Sequence, residues 1–240
     1  MKITTLTLFP EFFDSFQKTS IVKRAIADGH VQLNYVNFRD YTDDRHNNVD
    51  DTPCGGGAGM LLACQPIVDA IQANKQKHTK VIMLSPQGRV FNQALAQALA
   101  KEEDLFLLCG HYEGFDERIR SYVDDEVSIG DYVLTGGESA AMVISDTIIR
   151  LQDGVIRKAS HEDDSFAYGL LEYPQYTRPI VYNGEKVPDV LMSGHHENIR
   201  KWRLKEALRK TYIHRADLLA NRELSKEEAV YLTQIKSEEK

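Results

Sequence analysis

The spacing of apolar and polar residues changes repeatedly along the chain, and each change predicts an element. Residues 3–9 form an apolar run that reads as a first strand. Pro10 then opens a helix reaching about residue 28, with Gly29 as its stop. Val31, Leu33 and Tyr35 alternate with Gln32 and Asn34, which predicts a strand over 31–38. A polar stretch, 39–52, leads into the loop Pro53-Cys54-Gly55-Gly56-Gly57-Ala58-Gly59. Short apolar runs at 80–84 and 105–109 read as buried strands, set between helices at 66–74 and 91–103. A helical turn at 115–122, a strand or extended segment at 127–134 and a helix at 140–151 follow. Strands alternating with helices argue for an α/β domain on a mostly parallel sheet.

After Gly154 the texture changes. His161-Glu162-Asp163-Asp164-Ser165 is acidic and polar, Pro174, Pro179 and Pro188 interrupt any regular period, and from residue 198 the chain reads as helical to its end. A boundary is expected near residues 158–175, and no repeat or low-complexity tract is present. With 240 residues, 42% of them hydrophobic, the chain can bury a sizeable core, which excludes wholesale disorder. Its longest clean apolar run, residues 105–109, is far too short for a membrane span, and the N-terminus lacks the pattern of a signal peptide. Three cysteines, Cys54, Cys64 and Cys109, without C-x-x-C spacing, exclude a disulfide framework and a cysteine-rich zinc site and fit a reducing cytoplasm.

The net charge of −7 argues weakly against nucleic acid, but it averages over a strong asymmetry. Residues 121–198 carry 14 acidic and five basic side chains, whereas 199–215 carry seven basic and one acidic. Such a block can bind phosphates inside an acidic protein, because at ordinary salt the field decays within about 8–10 Å. On a helical wheel Leu204, Ala207, Leu208, Thr211 and Tyr212 share one side, and Arg203, Lys205, Arg209 and Lys210 the other. Trp202, the only tryptophan, falls among the cations. Cations with an aromatic suit phosphates and a stackable base, and a solvated face with a packed tryptophan fits the pattern equally.

Three glycine-bearing turns follow predicted strands: Ser85-Pro86-Gln87-Gly88, Gly110-His111-Tyr112-Glu113-Gly114, and Gly130 through Gly137. Ligands of open parallel sheets sit beyond the carboxyl ends of the strands, and glycine lets backbone groups approach them. One such loop alone reads as a turn; three in one domain fit a ligand site and simple turns equally. Neither G-x-G-x-x-G nor G-x-x-x-x-G-K-[ST] occurs, which disfavours a dinucleotide or triphosphate and leaves a cofactor with no phosphate chain to cradle. His46, among Asp43, Asp44, Asp50 and Asp51, has no regular ligand spacing and reads as a solvated loop. No metal site is expected from these residues.

Taken together and in order, several of these segments resemble one family. They are residues 50–60 (D-D-T-P-C-G-G-G-A-G-M), Leu84-Ser85-Pro86-Gln87-Gly88, residues 109–118 (C-G-H-Y-E-G-F-D-E-R) and residues 128–138 (S-I-G-D-Y-V-L-T-G-G-E), then Glu162-Asp163-Asp164-Ser165-Phe166, residues 174–179 and residues 187–203. They resemble the bacterial tRNA (guanine-N1)-methyltransferases, which modify the guanosine 3′ of the anticodon, position 37. The resemblance runs from the first strand to about residue 219.

It implies an α/β fold of the SPOUT type: a trefoil-knotted parallel-sheet domain over 1–160, a flexible connector over 161–175, and a small, mostly helical tRNA-binding domain over 176–240. It implies a homodimer with its sites at the subunit interface, S-adenosylmethionine as cofactor, and a Mg²⁺ that family members are reported to need. By motif position the cofactor loops are Leu84, Ser85 and Pro86; Gly110, Tyr112 and Gly114; and Ser128, Ile129, Gly130, Asp131, Tyr132, Val133, Leu134, Gly136 and Gly137. Asp164 matches the general base and Arg150 the catalytic arginine; Glu113 is assigned to orient Arg150 or to help hold Mg²⁺. His196, Arg200, Trp202, Arg203, Arg209 and Arg215 are assigned to tRNA. Cys54 and Ser139-Ala140-Ala141 depart from the family pattern, and the segment between Gly154 and Asp164 is about one residue short, so Asp163 is the alternative base. The alternatives are another RNA position, or a non-catalytic RNA-binding protein on the same scaffold.

Overall fold

Leu105, Leu107 and Cys109 point to one side of a strand and Phe106 and Leu108 to the other, and all five are buried. Such a strand needs apolar cover on both faces, which a parallel sheet between helix layers provides. The computed structural model, which describes residues 1–157, 164–166, 168–220 and 222–239, has this architecture in the first of its two units, Met1–Arg157. The strands of its five-stranded sheet are β1 (Lys2–Thr7), β2 (Gln32–Asn37), β3 (Thr79–Val90), β4 (Asp104–Cys109) and β5 (Asp125–Ser128). All are parallel, in the order β2-β1-β4-β3-β5. Compared with the doubly wound order 2-1-3-4-5, the third and fourth strands have exchanged places.

Helices α1 (Ser20–Ala27), α3 (Gln93–Leu99) and α4 (Glu138–Ile149) cover one face through Val22, Ala25, Leu95, Leu99, Ala141, Ile144 and Ile148. Helix α2 (Cys64–Asn74) covers the other with Ile67, Val68, Ala70 and Ile71, joined by Phe38 and Ile119.

Two expectations are corrected and a third is resolved. The helix over 10–28 is broken into a 3₁₀ turn, Pro10–Phe13, a single turn, Asp14–Gln17, and α1, because Ser20 adopts a left-handed φ of 47°. The strand over 80–84 runs on to Val90, but with a break in register. Leu84 and Arg89 both pair with Val127, so residues 85–88 leave the sheet and return to it. The segment over 127–134, read as a strand or an extended loop, divides between the two: β5 ends at Ser128, and residues 129–137 form a loop.

The second unit, Lys158–Lys240, is organised around α5 (His196–His214) and α6 (Lys226–Glu238). Leu170, Ala207, Leu208 and Ile235 form its core, with Tyr173, Leu204, Tyr212 and Tyr231 against it. The helix expected from residue 198 to the end is interrupted between these two. Ser225 restarts it with a capping box, in which its side chain accepts from Glu228 N–H and the Glu228 carboxylate accepts from Ser225 N–H. Residues 164–166 and 168–175, expected to lie in a flexible connector, are tied into this unit. Leu170 is in its core, and Leu171 N–H donates to Thr211 Oγ1 at 2.9 Å. Among the described residues no helix is long and apolar enough to cross a membrane.

One core contact makes a prediction about alkaline stability. Tyr35 stacks on Phe13 with ring centroids 4.7 Å apart, and its hydroxyl is buried with no partner among the described residues. Burial, with Asp14 nearby, pushes its pKa up to about 12. The folded state therefore holds this proton more tightly than the unfolded chain. The stability it contributes is complete below the unfolded value near 10 and is lost as pH rises towards about 12. Tyr35→Phe removes an unsatisfied hydroxyl, so its stability should equal or exceed that of the wild type at pH 7, and the drop between pH 10 and 12 should shrink. Urea unfolding of both proteins across that range checks this.

Candidate active site

Three loops at the carboxyl ends of β3, β4 and β5 enclose a cavity of about 360 Å³ in the first unit. This volume lies in the range of ligand pockets, about 300–1,000 Å³, and the position is the one ligands take in open parallel sheets. The wall contains Leu84, Ser85 and Pro86 from the first loop; Gly110, Tyr112, Glu113 and Gly114 from the second; and Ser128, Ile129, Gly130, Tyr132, Val133, Leu134, Gly136 and Gly137 from the third. Every residue assigned to the cofactor is therefore present except Asp131, which lies in the third loop outside the wall.

Close backbone packing holds the loops in place. Gly137 N–H donates to Gly110 C=O at 2.8 Å, and a Cβ on Gly137 would lie 2.8 Å from both Cys109 Cα and Gly110 N. The start of α4 therefore rests directly on the end of β4, an approach only glycine permits. Phe91 N–H donates to Ser128 C=O at 2.7 Å, so the third loop leaves the sheet between the returning end of β3 and the loop after β4. Tyr112 holds a left-handed φ of 58°, unusual for a non-glycine residue and a marker of a constrained loop. The loop ending in Gly59-Met60 braces the second loop from outside: Glu113 N–H donates to Met60 C=O at 3.0 Å, and the Gly59 backbone lies against the Glu113 side chain.

Sequence reasoning missed several wall residues. Gln87, His111 and Thr135 sit inside the glycine turns already singled out, but nothing in the sequence fixed which way they point. Asp116, Glu117 and Arg120 come from the helical turn. Arg120 joins this turn to the first loop and to β5. It donates to Gln87 Oε1 at 2.8 Å and pairs with Glu117 and Glu126, which raise its pKa. The Arg118 guanidinium beside Asp116 holds its carboxyl down at about 2. Beneath the loops Thr7 donates to the buried Glu138 at 2.7 Å. The buried Cys109 thiol is pushed up by burial first and then by the Glu138 charge, which marks it as a packed thiol and not a nucleophile. His111 Nδ1 is buried with no hydrogen-bond partner among the described residues.

The wall has three carboxylates, Glu113, Asp116 and Glu117, against one guanidinium, Arg120, and it has no lysine. Such a surface disfavours phosphate and favours a ligand carrying positive charge. A sulfonium cofactor with no phosphate chain fits that composition. Among the described residues no group of three or more His, Cys, Asp or Glu side chains could hold a metal ion.

Arg150 caps the C-terminus of α4 and is outside this wall. Asp164 belongs to the second unit, where it lines a cavity of about 640 Å³ with His196, Arg200 and Arg203. Asp163 and Glu162 lie outside the described residues.

The residues assigned to tRNA lie on or beside α5, and three of the arginines are engaged within the unit. Arg200 bonds to Glu197 and, at 2.9 Å, to Glu227; Arg209 pairs with Glu206, Glu238 and Glu239; Arg215 pairs with Asp217 at 2.7 Å. Surface pairs of this kind are worth about 0–1 kcal/mol, so a phosphate can displace them, but they cancel much of the basic excess of residues 199–215. Arg203 instead lies over the Tyr173 ring at 4.7 Å, and Trp202 is half-buried beside Tyr176.

Residues 1–221 match the family model described as tRNA (Guanine-1)-methyltransferase TrmD. A Streptococcus gordonii tRNA (guanine-N(1)-)-methyltransferase is 58% identical over 237 residues, 98% of this chain and 97% of that protein. Proteins of the same name from Bacillus cereus and Bacillus anthracis are each 56% identical over 241 residues, 98% of this chain and 99% of theirs. Matches at this identity, running through the glycine loops and both units, decide the matter: the chain belongs to the tRNA (guanine-N1)-methyltransferase family.

Proposed function

We propose that the protein transfers a methyl group from S-adenosylmethionine to N1 of the guanosine 3′ of the anticodon, position 37, in tRNA. The observation that carries this reading is the cavity over β3, β4 and β5: backbone-walled, acidic, without lysine, and built from the loops assigned to the cofactor. When bound there, S-adenosylmethionine supplies an electrophilic methyl carbon on a sulfonium. The protein's task is then to make guanine N1, an amide-like nitrogen bearing a proton, into a nucleophile.

In this mechanism the Asp164 carboxylate takes the N1 proton as N1 attacks, a role that typically contributes about 10²–10⁴-fold. Negative charge builds on O6 as the proton leaves, and the Arg150 guanidinium stabilises it, more in the transition state than in the ground state. Glu113 orients Arg150. In-line approach requires both reactants to be held, so positioning supplies much of the remaining acceleration.

Three further features complete the reading. The exchanged strand order, together with a third loop bonded to both of its neighbours, supports a trefoil-knotted domain over 1–160. The helical residues 176–240, reached through 161–175, bind tRNA by Arg200, Arg203, Arg209 and Arg215, with His196 and Trp202 beside them. The working form is a cytoplasmic homodimer with its sites at the subunit interface.

Calorimetric titration of the protein tests the cofactor assignment. S-adenosylmethionine should bind saturably and NAD should not. Absence of a saturable S-adenosylmethionine site would overturn the reading.

A further inference from the structure

Glu138, the first residue of α4, is 4% exposed, and no step of the proposed transfer uses it. A carboxylate taken out of water normally has a cation beside it, because burial penalises the charged form. The other two buried acids among the described residues follow that rule: Asp104 pairs with Lys2 and Glu228 with Arg222. Glu138 does not. Among the described residues its side chain accepts one hydrogen bond, from Thr7 Oγ1, and pairs with no cation. The positive end of the α4 dipole offsets only part of its charge, about half an elementary unit. Its Oε2 fills the space that a Cβ on Gly136 would occupy, and His111 Nδ1 lies 2.9 Å from the same point. Gly136, Gly137 and His111 all belong to the wall of the cavity over β3, β4 and β5, so the carboxylate lies directly behind that wall. Its field reaches through the packed backbone: after burial, it is what holds the Cys109 thiol protonated. The acids of the wall itself are weaker sources, since water screens the exposed Glu113 and Glu117, and Arg118 pairs with Asp116.

We propose that the counter-ion Glu138 lacks is the positive charge of the bound sulfonium, and that Glu138 thereby sets the preference of the cavity for S-adenosylmethionine over the neutral thioether left after transfer. The proposal rests on the cofactor reading and adds a specificity-determining residue to it. In the transfer the bond between methyl carbon and sulfur breaks, its electron pair stays on sulfur, and the sulfur loses its positive charge. The attraction to Glu138 ends at that point, so the spent cofactor is released more readily than the fresh one. A bare buried charge also lowers the stability of the unliganded protein, a common property of binding sites.

Calorimetric titration of the full-length protein with S-adenosylmethionine and, separately, with S-adenosylhomocysteine reads the ratio of the two affinities. Glu138→Gln keeps the shape of the side chain and an oxygen for Thr7 to donate to, and removes the charge. It should lower the affinity for S-adenosylmethionine about tenfold and leave that for S-adenosylhomocysteine within about twofold of wild type. Its melting temperature without ligand should equal or exceed that of the wild type, because an unpaired buried charge is gone. Glu138→Asp retains the charge on a shorter side chain and should keep the ratio near its wild-type value even where both affinities fall. An equal loss for both ligands in Glu138→Gln, failure of that variant to fold, or loss of the preference in Glu138→Asp would overturn the proposal and leave the cofactor reading intact. No saturable binding of either ligand to the wild type would overturn both.

Discussion

Asp164→Asn is expected to lower methyl transfer to tRNA by at least about 100-fold while S-adenosylmethionine binding stays at the wild-type level. The substitution keeps the size and shape of the side chain and removes only its capacity to accept a proton. Asp164 lines a cavity that also carries His196, Arg200 and Arg203, and the two arginines can draw the phosphates of RNA towards it. A merely structural acid at this place would change melting temperature or RNA affinity together with rate. The base role predicts a loss in the single-turnover rate alone. Rates within a few fold of wild type would pass the role to another group, of which Asp163 is the nearest in sequence.

Gly88→Ala has the larger expected effect on the fold. A Cβ at residue 88 would stand 2.5 Å from Glu126 C and 2.6 Å from its carbonyl oxygen, and against the Val127 backbone nitrogen. These are backbone atoms of β5, paired to β3 on both sides of the excursion, so they have no rotamer by which to yield. The cost is about 3 kcal/mol, which for a unit of this size lowers the melting temperature by about 6–12 °C. The excursion also carries Ser85 and Pro86 into the cavity wall, so S-adenosylmethionine affinity should fall with stability. Gly55→Ala, where a Cβ meets nothing within 4 Å and the strain comes only from its own φ of 91°, is the comparison and should leave cofactor binding close to wild type. Equal melting curves for Gly88→Ala and wild type would show that the register break is not a fixed feature of the sheet.

The two positions illustrate what the sequence makes legible and what it hides. The alternation of strands and helices was readable because each buried strand is a short apolar run, as at residues 105–109. Three glycine loops in one domain pointed to the place of the cavity, since glycine at a strand end permits close backbone approach, and the family resemblance named most of its wall but not Gln87, His111, Thr135 or the residues of the helical turn. The exchange of β3 and β4 in the sheet was not legible, because strand order is decided by long-range pairing and leaves no local pattern. Gly88 looked like a turn glycine, and the contact that requires it comes from a strand nearly forty residues on.

The basic block shows a different limit. A helical wheel places Lys205 and Arg209 on a cationic face, but their partners Glu238 and Glu239 lie on and just beyond α6, some thirty residues away in sequence. Charge counted along the chain therefore overstated the field that α5 presents.

The most direct test of the account is transfer of a labelled methyl group from S-adenosylmethionine to unmodified tRNA, followed by identification of the modified nucleoside and its position. 1-Methylguanosine should form immediately 3′ of the anticodon. A different methylated nucleoside, the same nucleoside at another position, or cofactor binding without transfer would contradict it.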